Sequence, residues 1–218
     1  MNRLTLVIAN KNYYSSWSLR PWLLLKQFGI AFDEVRIPLD QPDSAQRLRE
    51  YSPSGRVPVL RDAHLTVWDS LAICEYLAEK FPQHPLWPTS IEARATARSV
   101  SAEMHSGFAT LRENMTMNCR KHLPGKGRAP GVQQDIDRIT EIWRDCRNRY
   151  GAGGDMLFGK FSIADAMFAP VTFRFVTYGV DTDPVSAAYI KAVQALAPMQ
   201  DWLASARAEQ EVIAQYER

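Results

Sequence analysis

The chain has 218 residues, 46% hydrophobic and 23% charged, the proportions of an ordinary globular protein with room for one large domain or two small ones. Its net charge of +2 gives no general electrostatic case for binding nucleic acid or a membrane surface. No apolar run approaches the ~18–20 residues that span a bilayer, and residues 1–8 are too short and too alternating for a signal peptide.

Residues 4–9 predict a first strand, followed by a polar loop to Trp17. Ser18 reads as the N-cap of a helix with Pro21 in its first turn, where a missing N–H does no harm. Trp22, Leu23, Leu25 and Phe28 are its apolar residues, and Gly29 suits its end. Residues 30–39 predict a second strand, and 41–51 a short, irregular helix. After the turn over 52–55, Val57, Val59 and Leu60 make a short apolar run interrupted by Pro58. A proline cannot donate to a sheet ladder, so it belongs at an edge or at the first residue of a strand. A charged tip over 61–64 leads into a second run with Leu65, Val67 and Trp68. Asp69-Ser70 then caps a helix with Leu71, Cys74, Leu77 and Ala78 on one face.

The order so far is β-α-β-α-β-β-α, a thioredoxin-like α/β domain over residues 1–81. The proline-rich stretch 82–88 reads as an extended linker. Residues 89–218 read as an all-helical bundle. Its first helix opens on a Thr89–Glu92 capping box and is expected to run to about residue 120. On it Met104, Phe108, Leu111 and Met115 share one face. The basic loop over 121–131 lacks the G-K-[ST] ending of a phosphate loop and reads as solvated. Val132, Ile136, Ile139, Trp143, Cys146 and Tyr150 keep helical spacing up to Gly151. Ser162 and Asp165 form a capping box before a run apolar on all sides, which belongs at a bundle's centre; Pro170 is expected to bend or end that helix. Helices over 184–196 and 199–209 complete the chain, with a loose tail after residue 210.

Cys74, Cys119 and Cys146 form no C-x-x-C pair, which fits buried thiols in a reducing, cytoplasmic setting. The strand-to-helix loop, where a parallel sheet commonly builds its ligand site, holds Ser15-Ser16-Trp17-Ser18 in place of a redox dithiol. Dithiol exchange with the protein's own thiols is thereby excluded. His105 has no second His or Cys at ligand spacing, so no metal is implied.

The Arg56-Val57-Pro58 and Asp69-Ser70 pairings resemble the glutathione-binding half of the cytosolic glutathione transferase superfamily. In that family a cis-proline exposes the valine backbone to the cysteinyl part of glutathione, and the acid–serine pair holds its γ-glutamyl end. The physical basis for the second match stands by itself: a serine at a helix N-terminus offers a hydroxyl and free N–H groups to an anion. The run S-S-W-S-L-R resembles the S-S-C-x-x-R motif of the zeta class, with Trp17 where that class has Cys. The S-x-x-D box resembles the one that opens the family's buried C-terminal helix, where it serves folding.

The resemblance implies a bacterial, serine-type glutathione transferase, a cytoplasmic homodimer with glutathione as co-substrate and a small electrophile as second substrate. Ser15 takes the role of hydrogen-bond donor to the sulfur, with Ser16 and Tyr14 as rivals. Trp17, Arg56, Val57, Pro58, Asp69 and Ser70 contact glutathione. Tyr13, Met104, His105 and Phe108 line the electrophile pocket, and Arg20 is a structural charge. A free thiol titrates near 8.5, so a hydroxyl donor beside a helix N-terminus would raise its ionised share at neutral pH. The absent cysteine weighs against the zeta-class isomerase activity. A glutathione-dependent isomerase, a peroxidase and a non-catalytic binding protein are the alternative readings.

Overall fold

The computed structural model describes residues 3–10 and 15–213; the expectations for Tyr13 and Tyr14 lie outside the described residues. Strand β1 (Leu4–Ile8) pairs in parallel with β2 (Phe32–Arg36) and antiparallel with β3 (Val59–Asp62). Strand β3 continues antiparallel into β4 (Leu65–Trp68), so the sheet order is β2-β1-β3-β4. The helices of this half are α1 (Ser16–Gln27), α2 (Ser44–Tyr51) and α3 (Ser70–Lys80). The predicted βαβαββα order is therefore the observed one. The predicted second strand and second helix each lose residues at their ends, which carry turns and no ladder partners.

The helical region comprises α4 (Ile91–Ser106), α5 (Ala109–Asn114), α6 (Val132–Tyr150), α7 (Ile163–Tyr178), α8 (Pro184–Gln194) and α9 (Ala197–Ala208). Helix α7 is its centre: fifteen of its residues from Ile163 to Tyr178 are buried, and only Val176 stands exposed. Its capping box is present as the sequence predicts, and Pro170 lies inside the helix without ending it. Helix α1 packs against α3 on one side and against α7 and α9 on the other, so one continuous apolar core joins the sheet to the bundle. Trp22 on α1 meets Trp202 on α9 edge to face at 5.0 Å.

Three local expectations are corrected. Helix α1 starts three residues earlier than predicted, with Ser15 as its N-cap, so Pro21 sits in the helix interior and Ser18 caps nothing. The cap of α4 is Ser90, whose side chain accepts from the Ala93 N–H; Thr89 lies before it, and Glu92 pairs with Arg149. The long helix breaks at Gly107, whose backbone is extended and whose N–H bonds the Glu103 carbonyl. A Cβ at Gly107 would lie 2.8 Å from that carbonyl oxygen, so glycine permits this close approach. Phe108 then takes a left-handed conformation (φ 59°, ψ 36°) as the N-cap of α5. The break puts the following residues on a short separate helix, α5, which packs against α6 and carries Arg112.

Candidate active site

The site is built where β1 runs into α1, where the chain crosses into β3 through Val57-Pro58, and where α3 begins. The Val57-Pro58 peptide is cis, and Pro58 is buried while Val57 is half-buried. Just beyond the hairpin, Asp69 caps α3: Oδ1 accepts from the N–H groups of Leu71 at 2.9 Å and Ala72 at 3.2 Å. Asp69 itself has φ 77° and ψ 135°, a conformation that L-residues rarely adopt. Strain of this kind is held only where the surroundings over-determine it, and it clusters at ligand sites. Ser70, the first residue of α3, is 1% exposed and accepts from Arg20 Nη1 at 3.4 Å. The Ser70 hydroxyl proton is thus left free for another acceptor.

Trp17, Ser54, Arg56, Val57, Pro58, Asp69 and Ser70 line one cavity of about 480 Å³, together with Trp68 and His105. All six residues predicted to hold glutathione therefore meet in one place. His105, predicted on the electrophile side, approaches this cavity from α4, and its Nε2 lies 3.1 Å from Asp69 Oδ2. Burial pushes the His105 pKa below its ordinary value, with Asp69 pulling the other way and Arg20 and Arg112 adding to the depression. Met104 and Phe108 belong to the packed core and line neither this cavity nor the next; only His105 of that predicted wall faces a site.

A second cavity, of about 550 Å³, adjoins the first and shares Trp17, Arg56 and Val57 with it. Ser15 and Ser16 lie on its wall, together with Arg112, Glu113, Thr116, Met117 and Arg174. The Ser15 hydroxyl donates to Ser18 Oγ, which also accepts from the Ala9 N–H at 3.4 Å. Ser16 makes no side-chain hydrogen bond among the described residues. Both hydroxyls sit at the N-terminus of α1, where the helix dipole and unpaired N–H groups favour negative charge.

Sequence reading missed three of the site's arginines, Arg20, Arg112 and Arg174. Arg20, read as a structural charge, is 1% exposed and stacks over the Trp17 ring, its Cζ 4.2 Å from the centroid. Its pKa falls to about 9, chiefly through burial and then through Arg112 and Arg174, and its Nε has no partner. Arg112 approaches the same ring at 5.5 Å. Arg174 projects from the middle of α7, with its pKa brought down to about 10 by burial and by Arg112. The legible signal was Arg174 itself, a lone charge in the run Ala166–Val176, which is otherwise apolar but for Thr172, since fully buried arginines are rare unless paired.

The fold joins a thioredoxin-like sheet to a helical bundle, with the N-terminus of α1 and Ser15 and Ser16 at one cavity and Ser70 at the cavity adjoining it. The family described as "Glutathione S-transferase, N-terminal domain" matches residues 14–80. Residues 14–80 thus carry a glutathione S-transferase N-terminal domain. It is similar to the maleylacetoacetate isomerase of Rattus norvegicus, 29% identical over 176 residues and covering 78% of this chain and 77% of that one. It is also similar to a zeta-class glutathione S-transferase of Euphorbia esula, 25% identical, covering 73% of this chain and 74% of the relative. A solved structure of a Burkholderia glutathione transferase homolog with bound glutathione has the same fold. Its TM-score is 0.71 at 24% identity, and the match covers 95% of this chain and all of that one.

Proposed function

We propose that this protein is a serine-type glutathione transferase that holds glutathione in the 480 Å³ cavity and a small electrophile in the 550 Å³ cavity beside it. The observation that carries the reading is the convergence of Val57, Asp69, Ser70 and the α1 serines on adjoining cavities joined at Trp17. Residues 1–81 supply the glutathione half, 82–88 the linker and 89–218 the wall on the electrophile side. Ser70 donates its hydroxyl and its N–H to the γ-glutamyl carboxylate, and Asp69 faces the ammonium. The Val57 main chain pairs with the cysteinyl unit. Glutathione supplies the sulfur nucleophile when bound. Ser15 turns its hydroxyl from Ser18 to the sulfur, or Ser16 offers its unengaged one, and the α1 N-terminus favours the ionised form. The reading includes a cytoplasmic homodimer, supported by the exposed Leu65 and Trp68 on edge strand β4.

The names of the relatives favour a second reading, a glutathione-dependent isomerase, against which Trp17 stands in the place of the zeta-class cysteine. A pH–rate profile with 1-chloro-2,4-dinitrobenzene tests the first. In Ser15→Ala, turnover at neutral pH should fall by up to about a hundredfold, the equivalent of a two-unit shift of the thiol. It should recover as pH rises and the thiol ionises unaided, with glutathione affinity nearly unchanged. A wild-type profile in Ser15→Ala moves the role to Ser16, and the same measurement on Ser16→Ala decides. No turnover of this electrophile by wild type at any pH refutes the transferase reading.

A further inference from the structure

The two carboxylate oxygens of Asp69 are used differently. Oδ1 accepts from the Leu71 and Ala72 N–H groups at 2.9 and 3.2 Å, which ties it to α3. Oδ2 has one charged or polar neighbour among the described residues, His105 Nε2 at 3.1 Å. His105 stands in the last turn of α4, so the contact joins the sheet half of the chain to the helical half. Its ring meets the Trp17 ring edge to face at 5.3 Å, which restricts how the imidazole can turn. Trp17, Asp69, Ser70 and His105 all line the 480 Å³ cavity.

The surroundings keep this imidazole neutral. Contact with a carboxylate puts its one proton on Nε2, as donor to Oδ2. A second proton would go on Nδ1, which is buried and has no acceptor among the described residues. Burial is the largest influence against that second proton, and Arg20 from α1 and Arg112 from α5 add to it; Asp69 from α3 pulls the other way. Arg56, on the approach to β3, lines the same cavity and is a further positive charge there. The α4 carbonyls that would favour a cation, those of Met104 and Gly107, are taken by Arg112 Nη1. A neutral donor fixes a carboxylate without cancelling its charge, whereas a cation would cancel it. We infer that His105 is a positioning residue for the γ-glutamyl end of glutathione: its neutral Nε2–H holds Asp69 Oδ2 at the cavity wall, with the negative charge kept for the ligand's ammonium group. The inference rests on the reading that glutathione occupies this cavity, and it adds a residue that acts through Asp69.

Isothermal calorimetry on the full chain compares glutathione with glutaryl-cysteinyl-glycine, the same tripeptide without its α-amino group. The ratio of the two affinities reads the charge on Asp69, because every other contact is common to both ligands. Glutathione should bind about tenfold tighter or more, the scale of a charge-assisted hydrogen bond. His105→Leu removes the donor and His105→Lys sets a fixed cation on Asp69, and each should erase most of the ratio. His105→Gln, a neutral donor, should keep it. Lowering the pH from about 7 to about 5 protonates His105 and should reduce the ratio in wild type and not in His105→Gln. A packing defect would weaken both ligands alike, so an unchanged ratio in both His105→Leu and His105→Lys overturns the inference. It is overturned equally by a ratio in His105→Gln as low as in His105→Leu, or by the same acid loss in wild type and His105→Gln. Glutathione that binds no tighter than its analogue also overturns it; the transferase reading survives that result, whereas binding of neither ligand removes both.

Discussion

Helices α3 and α7 both open on a serine and an aspartate, and the two pairs are used in opposite ways. At α7, Asp165 is fully buried and every contact stays within the protein: Oδ1 accepts from Leu157 N–H, Oδ2 from the N–H and hydroxyl of Ser162. At α3, Asp69 is exposed, its Oδ2 meets His105, and both Asp69 and Ser70 line a cavity. A capping pair whose donors and acceptors are all spent locally serves folding. A pair that retains a hydroxyl proton and the Ser70 N–H beside a buried arginine is set up to take a ligand.

The largest effect that would test this contrast is at α7. Asp165→Ala strands three buried donors, each at about 1–3 kcal/mol, so unfolding free energy in urea should drop by about 3 kcal/mol or more. Glutathione affinity of the folded protein should hold. A variant that keeps its stability and loses glutathione would invert the assignment.

The charge state of Asp165 gives a second, slightly smaller effect. Burial raises its pKa from 3.8 to about 6 against the hydrogen bonds it accepts. A carboxyl whose folded value is raised binds its proton more tightly in the native state. Its contribution to stability is therefore full below about pH 4 and lost as pH rises through about 6, a swing of about 3 kcal/mol. Unfolding measured from pH 4 to pH 7 should show that slope in wild type and not in Asp165→Asn.

At α3 the effect should move from folding to binding. Ser70→Ala should weaken glutathione by about 1–3 kcal/mol, the scale for a hydrogen bond to a charged group, as read by calorimetry. Unchanged affinity with a lower melting temperature would reduce Ser70 to a partner for Arg20.

The smallest change in stability is expected for Asp69→Gly. Glycine accepts φ 77° without a Cβ and is a tolerable N-cap, so relief of strain offsets the lost cap and unfolding should change by less than about 1 kcal/mol. Glutathione affinity should still fall with the carboxylate gone. A large loss of stability in this variant would make Asp69 a second Asp165.

The sequence by itself determined what is settled within a few residues. The Val57-Pro58 pair, the Asp69 cap and the Ser162–Asp165 box are short-range events, because an N-cap reaches only two or three residues along its own helix. The alternation and helical spacing of apolar residues likewise predicted the βαβαββα order, because burial of one face imposes the period. Tertiary structure alone decided which distant residues share an environment. Gly107 looked like one more helix position until the Glu103 carbonyl closed over it and turned Arg112 aside. His105 and Asp69 lie 3.1 Å apart across two helices, and Arg20, Arg112 and Arg174 come together from three. Desolvation and charge coupling depend on everything packed around a group, whatever its place in the chain, so a lone arginine in a sequence carries no sign of what it faces.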